Sequence, residues 1–229
     1  EIAQCLVGSE MCIRDSMNTH FFKRIINRIL MRYFSVGQIA TKDRSVYLTF
    51  DDGPEEGITQ FILDELDKYG FKGTFFCKGS CAEKNPHLVK EIISRGHSIG
   101  NHTYEHILAY DRNGQSYVQD VYRADHILHT ILFRPPNGCL TLYTWWKLRK
   151  KFRIIYWTIG SCDWCKDEAG QTRGISSLKH IHAGNIILFH FSKELQEGTK
   201  KILPQYLQWL VENKYTSLSL IHISEPTRH

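Results

Sequence analysis

No stretch of the 229-residue chain is an uninterrupted apolar run of the ~18 or more residues that a membrane-crossing helix needs. Internal repeats and low-complexity tracts are also missing, which excludes a solenoid, a propeller or a linker-like chain. The net charge of +5 is spread along the sequence and gathers in no patch, so no nucleic-acid partner is expected. The pattern at 21–34 sets Phe22, Ile25, Ile26, Ile29 and Tyr33 at helical spacing against Lys23, Arg24, Arg28 and Arg32. It is too charged to span a bilayer, yet a basic amphipathic segment of this kind admits peripheral contact with a membrane or envelope surface. Packing on its own domain is the simpler expectation.

Two terminal stretches do not read as part of a fold. The sequence LVGSEMCIRDS at 6–16 resembles an in-frame translation of a transposon sequencing adapter, and LSLI at 218–221 with the HISEPTR that follows is what the opposite strand would encode. Residues 1–16 and 218–229 are therefore expected to be adapter-derived. Residues 17–40 are expected to form the basic amphipathic segment, and 41–217 a single, monomeric catalytic domain. Setting aside two basic and four acidic terminal residues raises the net charge from +5 to +7. Five cysteines remain: Cys77, Cys81, Cys139, Cys162 and Cys165. An odd count argues against a disulfide framework and for small apolar packing, although Cys162 and Cys165 form a CxxC.

What is present is a regular alternation. Short β-rich runs at 46–50, 74–77, 97–100, 132–134, 153–159 and 185–190 are interleaved with amphipathic stretches at 58–69, 86–94, 116–131, 142–152, 175–181 and 199–213, and a last strand begins at Tyr215. Strand–helix alternation predicts an α/β fold with a parallel sheet, and six or seven such units suffice to close a barrel. In parallel sheets the carboxyl ends of the strands converge on one rim. Asp51 and Asp52 follow the first strand, His102 and His106 the third, Arg134 ends the fourth, Asp163 follows the fifth and His190 ends the sixth. Asp, His and Arg at five separate strand ends are a candidate catalytic constellation.

Adjacent carboxylates project in different directions and can divide labour between a metal and a proton. His102 and His106, four residues apart, would share one face if a helical turn joined them, a spacing suited to a divalent ion. With one carboxylate from Asp51 or Asp52 they make three ligands with open positions, the pattern of a catalytic metal. Zinc suits two imidazoles and a carboxylate; cobalt, nickel or manganese could occupy the same ligands.

TFDDGP at 49–54, HTYEH at 102–106, RPPNG at 134–138, SCDW at 161–164 and LFH at 188–190 resemble, in order and spacing, the five motifs of the polysaccharide deacetylase family, the NodB-homology domain of carbohydrate esterase family 4. That resemblance implies a distorted (β/α)7 barrel and hydrolysis of the acetamide of an N-acetylated glycan, releasing acetate. It implies Asp51 as general base, and Asp52, His102 and His106 as ligands of one divalent metal. Arg134 would hold Asp51, a backbone N–H near Asn137 would serve the oxyanion, and His190 would be the general acid oriented by Asp163. Three positions depart from the pattern: Asn137 where tyrosine is common, and Phe191 and Gly160 where acids are frequent. HTYEH also fits the H-x-x-E-H of inverted zincin peptidases, which demands a continuous helix with Glu105 as base. A non-catalytic carbohydrate-binding relic is the other rival; Trp145, Trp146 and Trp164 could stack on sugars, though core packing is the ordinary role of tryptophan.

Overall fold

In the computed structural model, residues 36–222 are described, apart from Lys42 and Asp111. The N-terminal amphipathic pattern at 21–34 lies outside the described residues. Eight parallel strands alternate with helices: β1 (Ser45–Asp51), α1 (Ile58–Lys68), β2 (Gly73–Cys77), α2 (Gly79–Lys84), α3 (Pro86–Ser94), β3 (Ser98–Asn101), α4 (Gly114–Leu128), β4 (Leu132–Phe133), α5 (Leu142–Leu148), β5 (Arg153–Ile154), β6 (Ile159–Gly160), α6 (Glu168–Ser176), β7 (Ile186–His190), α7 (Gln196–Glu212) and β8 (Thr216–Ser217). The sheet runs β5-β4-β3-β2-β1-β7-β6, with β8 also on β1, and curls into a half-barrel flanked by helices. This is the expected α/β architecture of NodB type.

Every residue of β1 is buried, as a central parallel strand covered on both faces must be. Its alternation sorts the core. Val46, Leu48 and Phe50 join an outer cluster with Ile62, Leu66, Leu203 and Leu207 from α1 and α7. Tyr47 instead packs on the concave side with Phe76, Leu132, Ile155, Ile186 and Leu220. The outer layer is tied by Phe50, stacked on Phe75 at 4.8 Å and Phe189 at 5.7 Å. In α1, Ile58, Ile62 and Leu66 bury one face at four-residue spacing, and the Gln60 side chain accepts from the Gly57 N–H at 2.7 Å to close the helix start.

Two elements differ from the sequence expectation. The run at 153–159 is not one strand: β5 pairs β4 while β6 pairs β7 at the other end of the path. Residues 155–158 bridge the two edges, where Tyr156 N–H bonds Val36 O and Thr158 N–H bonds Ile186 O. The helix expected at 175–181 begins earlier, at Glu168, and ends in a 3-10 turn over Ser177–His180.

Residues 218–220 pack against the barrel. Leu218 N–H bonds Val46 O. Leu220 is buried on the concave side, and its N–H bonds Thr74 Oγ1 at 2.9 Å. Leu220→Ala is expected to lower the unfolding free energy by about 2–5 kcal/mol in a urea titration; an unchanged midpoint would show that these residues do not close the barrel.

Candidate active site

Strand register assembles the site. Asp51 lies level with Phe76 of β2 and His190 of β7, Cys77 with Asn101, and Asn101 with Phe133. The residues that follow therefore emerge together on one rim, and Asp51, Arg134 and His190 share the concave-side parity of their strands.

Arg134 is fully buried. Its Nη1 donates to Asp51 Oδ1 and to Thr49 Oγ1, both at 2.8 Å, its Nη2 to Tyr156 O at 3.1 Å and its Nε to Ile155 O at 3.4 Å. Its guanidinium stands 4.2 Å from the Phe76 ring centroid. A buried charge is tolerated only when paired and bonded in this way. Arg134→Leu is expected to cost about 3–5 kcal/mol in stability because it strands the Asp51 carboxylate without its partner; the check is a denaturation curve beside that of Arg134→Lys, which keeps the charge but loses the fork.

Asp52 adopts a positive φ of 83°, a conformation L side chains rarely take, which turns the chain straight after β1. Its Oδ1 is buried without hydrogen-bond geometry to any donor, although His102 Nε2 is 3.4 Å and His106 Nε2 3.0 Å away. Ligand atoms of Asp52, His102 and His106 all fall within 4.8 Å of one another. His102 Nδ1 donates to Arg134 O at 2.7 Å, which leaves the neutral ring's Nε2 lone pair facing the cluster. An orphaned carboxylate oxygen beside an imidazole tautomer presenting its lone pair fits a divalent cation. Burial pushes the Asp52 carboxyl upward, but the imidazoles of His102 and His106, when they carry a proton toward it, and the charge of His190 hold it well below the usual carboxylate range.

The two histidines meet through a turn, not the helical turn of the simplest spacing argument. Thr103 and His106 have φ of 64° and 58°, and the Tyr104 and Glu105 N–H groups are both held by Asp120 Oδ2 of α4, at 2.8 and 3.2 Å. Asn101 Oδ1 accepts from Thr103 N–H at 2.9 Å. No helix runs through 102–106 and Glu105 is exposed, so the inverted-zincin reading fails.

On the far side of Asp51, His190 Nδ1 donates to Asp163 Oδ1 at 2.9 Å, and the His190 N–H to Asp163 Oδ2 at 2.7 Å. Asp163 is buried and the Trp164 ring stands edge-on to His190 at 5.4 Å. The two departures in this region have a packing reason. A Cβ at Gly160 would meet the Trp164 ring at 2.8 Å, and Phe191 is buried edge-on against Phe75 at 5.2 Å, its ring filling the space beside Gly53. Asn137 occupies the left-handed region, φ 52°, in a 3-10 turn three residues after Arg134. Cys162 and Cys165 are free thiols flanking Asp163. Burial, then the neighbouring Cys165, pushes the Cys162 thiol up to about 12.

Sequence reasoning missed Thr49, Asp120 and Thr199, whose side chains hold Arg134, the histidine turn and Asp163 respectively. A strand threonine and two helical polar residues carry no signal that sets them apart from solvated or capping positions.

The family model described as Polysaccharide deacetylase matches residues 38–152. The chain belongs to the polysaccharide deacetylase family. It is 36% identical over 172 residues to a peptidoglycan-N-acetylglucosamine deacetylase of Bacillus cereus, covering 70% of this chain and 62% of the relative. It is 29% identical over 175 residues to a peptidoglycan-N-acetylmuramic acid deacetylase of Bacillus subtilis, covering 72% and 66%. The chain thus spans just under two thirds of the length of these relatives. Among solved structures, a peptidoglycan N-acetylglucosamine deacetylase superposes with a TM-score of 0.71 at 29% identity, covering 85% of this chain and 94% of that one. A family 4 carbohydrate esterase from Streptomyces lividans in complex with acetate gives 0.66 at 26% identity, covering 76% and 91%.

Burial pulls the His190 imidazole down, but the charge and hydrogen bond of Asp163, with the charges of Asp52 and Asp51, push it up to about 9. Because the folded value lies above the ordinary 6.5, the pair's contribution to stability is complete below about that pH and is lost as pH rises through about 9. NMR titration of the metal-free protein is expected to find the His190 ring protonated until about pH 9, and Asp163→Asn to bring its midpoint down toward the ordinary range. A midpoint unmoved by that substitution would contradict the pairing.

Proposed function

We propose that the chain is a metal-dependent N-deacetylase that hydrolyses the acetamide of N-acetylated sugars in peptidoglycan or chitin-like glycan, yielding acetate and a free amine. One observation carries this reading: a cluster of two imidazoles and a carboxylate, a second carboxylate anchored by Arg134 and an imidazole anchored by Asp163 stand on one rim. Asp52, His102 and His106 would hold one divalent ion, with zinc the best match to two imidazoles and a carboxylate and cobalt, nickel or manganese alternatives. Bound there, the ion supplies Lewis acidity to the acetyl carbonyl and acidifies water.

The protein's own groups do the rest. Asp51 is fixed on Oδ1 by Arg134, while its Oδ2 lies 3.8 Å from His102 Nε2, at the edge of the cluster. In this reading it takes a proton from the attacking water. The His190 imidazolium, across the β1–β7 register, gives its Nε2 proton to the departing amine nitrogen, with Asp163 stabilising its charge and fixing the ring through Nδ1–H. The left-handed turn at Asn137 would offer a backbone N–H to the oxyanion. The sequence relatives named for peptidoglycan deacetylation support N-acetylglucosamine or N-acetylmuramic acid residues as the sugars that lose their acetyl group.

Asp51→Asn and His190→Ala are expected to lower kcat by on the order of 10²–10⁴ while metal content, measured by mass spectrometry, stays near wild type. His102→Ala and His106→Ala are expected to lose metal and activity together. Normal turnover in Asp51→Asn would remove Asp51 from the base role. Full metal content in both histidine variants would relocate the ion.

A further inference from the structure

Asp163 is the only described side chain hydrogen-bonded to the His190 ring, and what holds Asp163 lies outside every motif considered so far. Thr199, in the first turn of α7, is fully buried. Its Oγ1 stands 2.9 Å from Asp163 Oδ2, 3.0 Å from His190 O and 3.2 Å from Leu195 O. The hydroxyl has one proton for three acceptors, and the ionised carboxylate is the strongest of them. The neighbouring residue makes this approach feasible: a Cβ at Gly198 would stand 1.9 Å from Asp163 O, so only glycine lets the helix press this close. From the other side, Gly174 of α6 abuts Ser161 O, where a Cβ would stand 2.1 Å away. The loop carrying Asp163 is therefore clamped between two glycine surfaces, and Thr199 fixes the rotation of its carboxylate.

We propose that Thr199 is a positioning residue for the general acid. Its hydroxyl and the His190 N–H together occupy Asp163 Oδ2, which leaves Oδ1 as the acceptor facing His190 Nδ1. This fixes the orientation of the imidazolium ring and aims its Nε2–H at the leaving amine. The inference rests on the assignment of His190 as acid. An ordinary back-bond from a first-turn threonine to Leu195 O would give the hydroxyl a purely structural role, and the two roles separate experimentally.

The test uses the whole chain supplied with zinc and two substrates: N-acetylglucosamine oligomers, whose amine must be protonated to leave, and 4-nitrophenyl acetate, whose phenolate leaves unaided. Thr199→Val and Thr199→Ala are expected to lower kcat on the oligomer about tenfold or more, part of the roughly 10²–10⁴-fold that acid catalysis supplies, with KM and ester hydrolysis within about twofold. Thr199→Ser, which restores the hydroxyl, is expected to recover near wild-type kcat. The downfield Nδ1–H proton resonance of His190, identified by its loss in His190→Ala, is expected to persist in Thr199→Ser and to shift or broaden in Thr199→Val. Unchanged oligomer turnover, or equal losses on both substrates with an unmoved resonance, would overturn the proposal. His190→Ala run in the same pair of assays reads the parent assignment by itself: if it shows no amide-over-ester loss, His190 is not the acid, and Thr199 has no acid to position.

Discussion

The arrangement depends on one buried guanidinium. Arg134 reaches across the concave side of the sheet from β4 to β1 and to the segment after β5, donating to Asp51, Thr49, Ile155 and Tyr156. Its own carbonyl orients His102. A single residue, through its side chain and its backbone carbonyl, thus couples the candidate base Asp51 to the tautomer of a metal-ligand candidate. The fork geometry of arginine suits this task, because a lysine ammonium cannot address two strands and a connecting segment with fixed directions. The desolvation cost of burying the pair is offset by four hydrogen-bond acceptors and by the Phe76 face, so the interaction acts mainly as a positional constraint.

Around that constraint, the sheet converts register into proximity. Asp51 and His190 are cross-strand neighbours on β1 and β7, and each is anchored outward by its own partner, Arg134 on one side and Asp163 on the other. Asp52 comes to the same rim through a backbone conformation that costs energy, and Thr103, His106 and Cys162 share left-handed φ values nearby. With Asn137, five non-glycine residues in that region, all bordering one rim, show local strain concentrated where the chemistry is proposed, on a scaffold whose aromatic core is tightly packed.

Much of this was legible from residue types. Parallel α/β architecture followed from the strand–helix alternation, and the rim followed from Asp, His and Arg at strand ends. The split between β5 and β6 was not legible, because 153–159 is a continuous β-type run. What breaks it is tertiary: Val36 and Ile186 claim the backbone of Tyr156 and Thr158 as the chain crosses between the sheet's two edges. The turn joining His102 to His106 was hidden for a similar reason, since Asp120, fourteen residues downstream of His106, supplies the acceptor that bends it. Leu220 falls in a stretch whose letters read as adapter sequence, yet its side chain completes the concave cluster with Tyr47, Phe76 and Ile186. Burial there depends on hydrophobicity and fit, to which the origin of the codons is immaterial.

In the proposed function, acetyl removal depends on one ion held by Asp52, His102 and His106. The most direct test is acetate release from N-acetylglucosamine oligomers by the whole chain, followed through chelation and stepwise zinc return, with bound zinc counted in the same samples. The account predicts that release vanishes with the chelator and recovers in proportion to zinc, reaching a plateau at one ion per chain. Release that is indifferent to chelation, or zinc uptake to one ion per chain with no acetate formed, would contradict it.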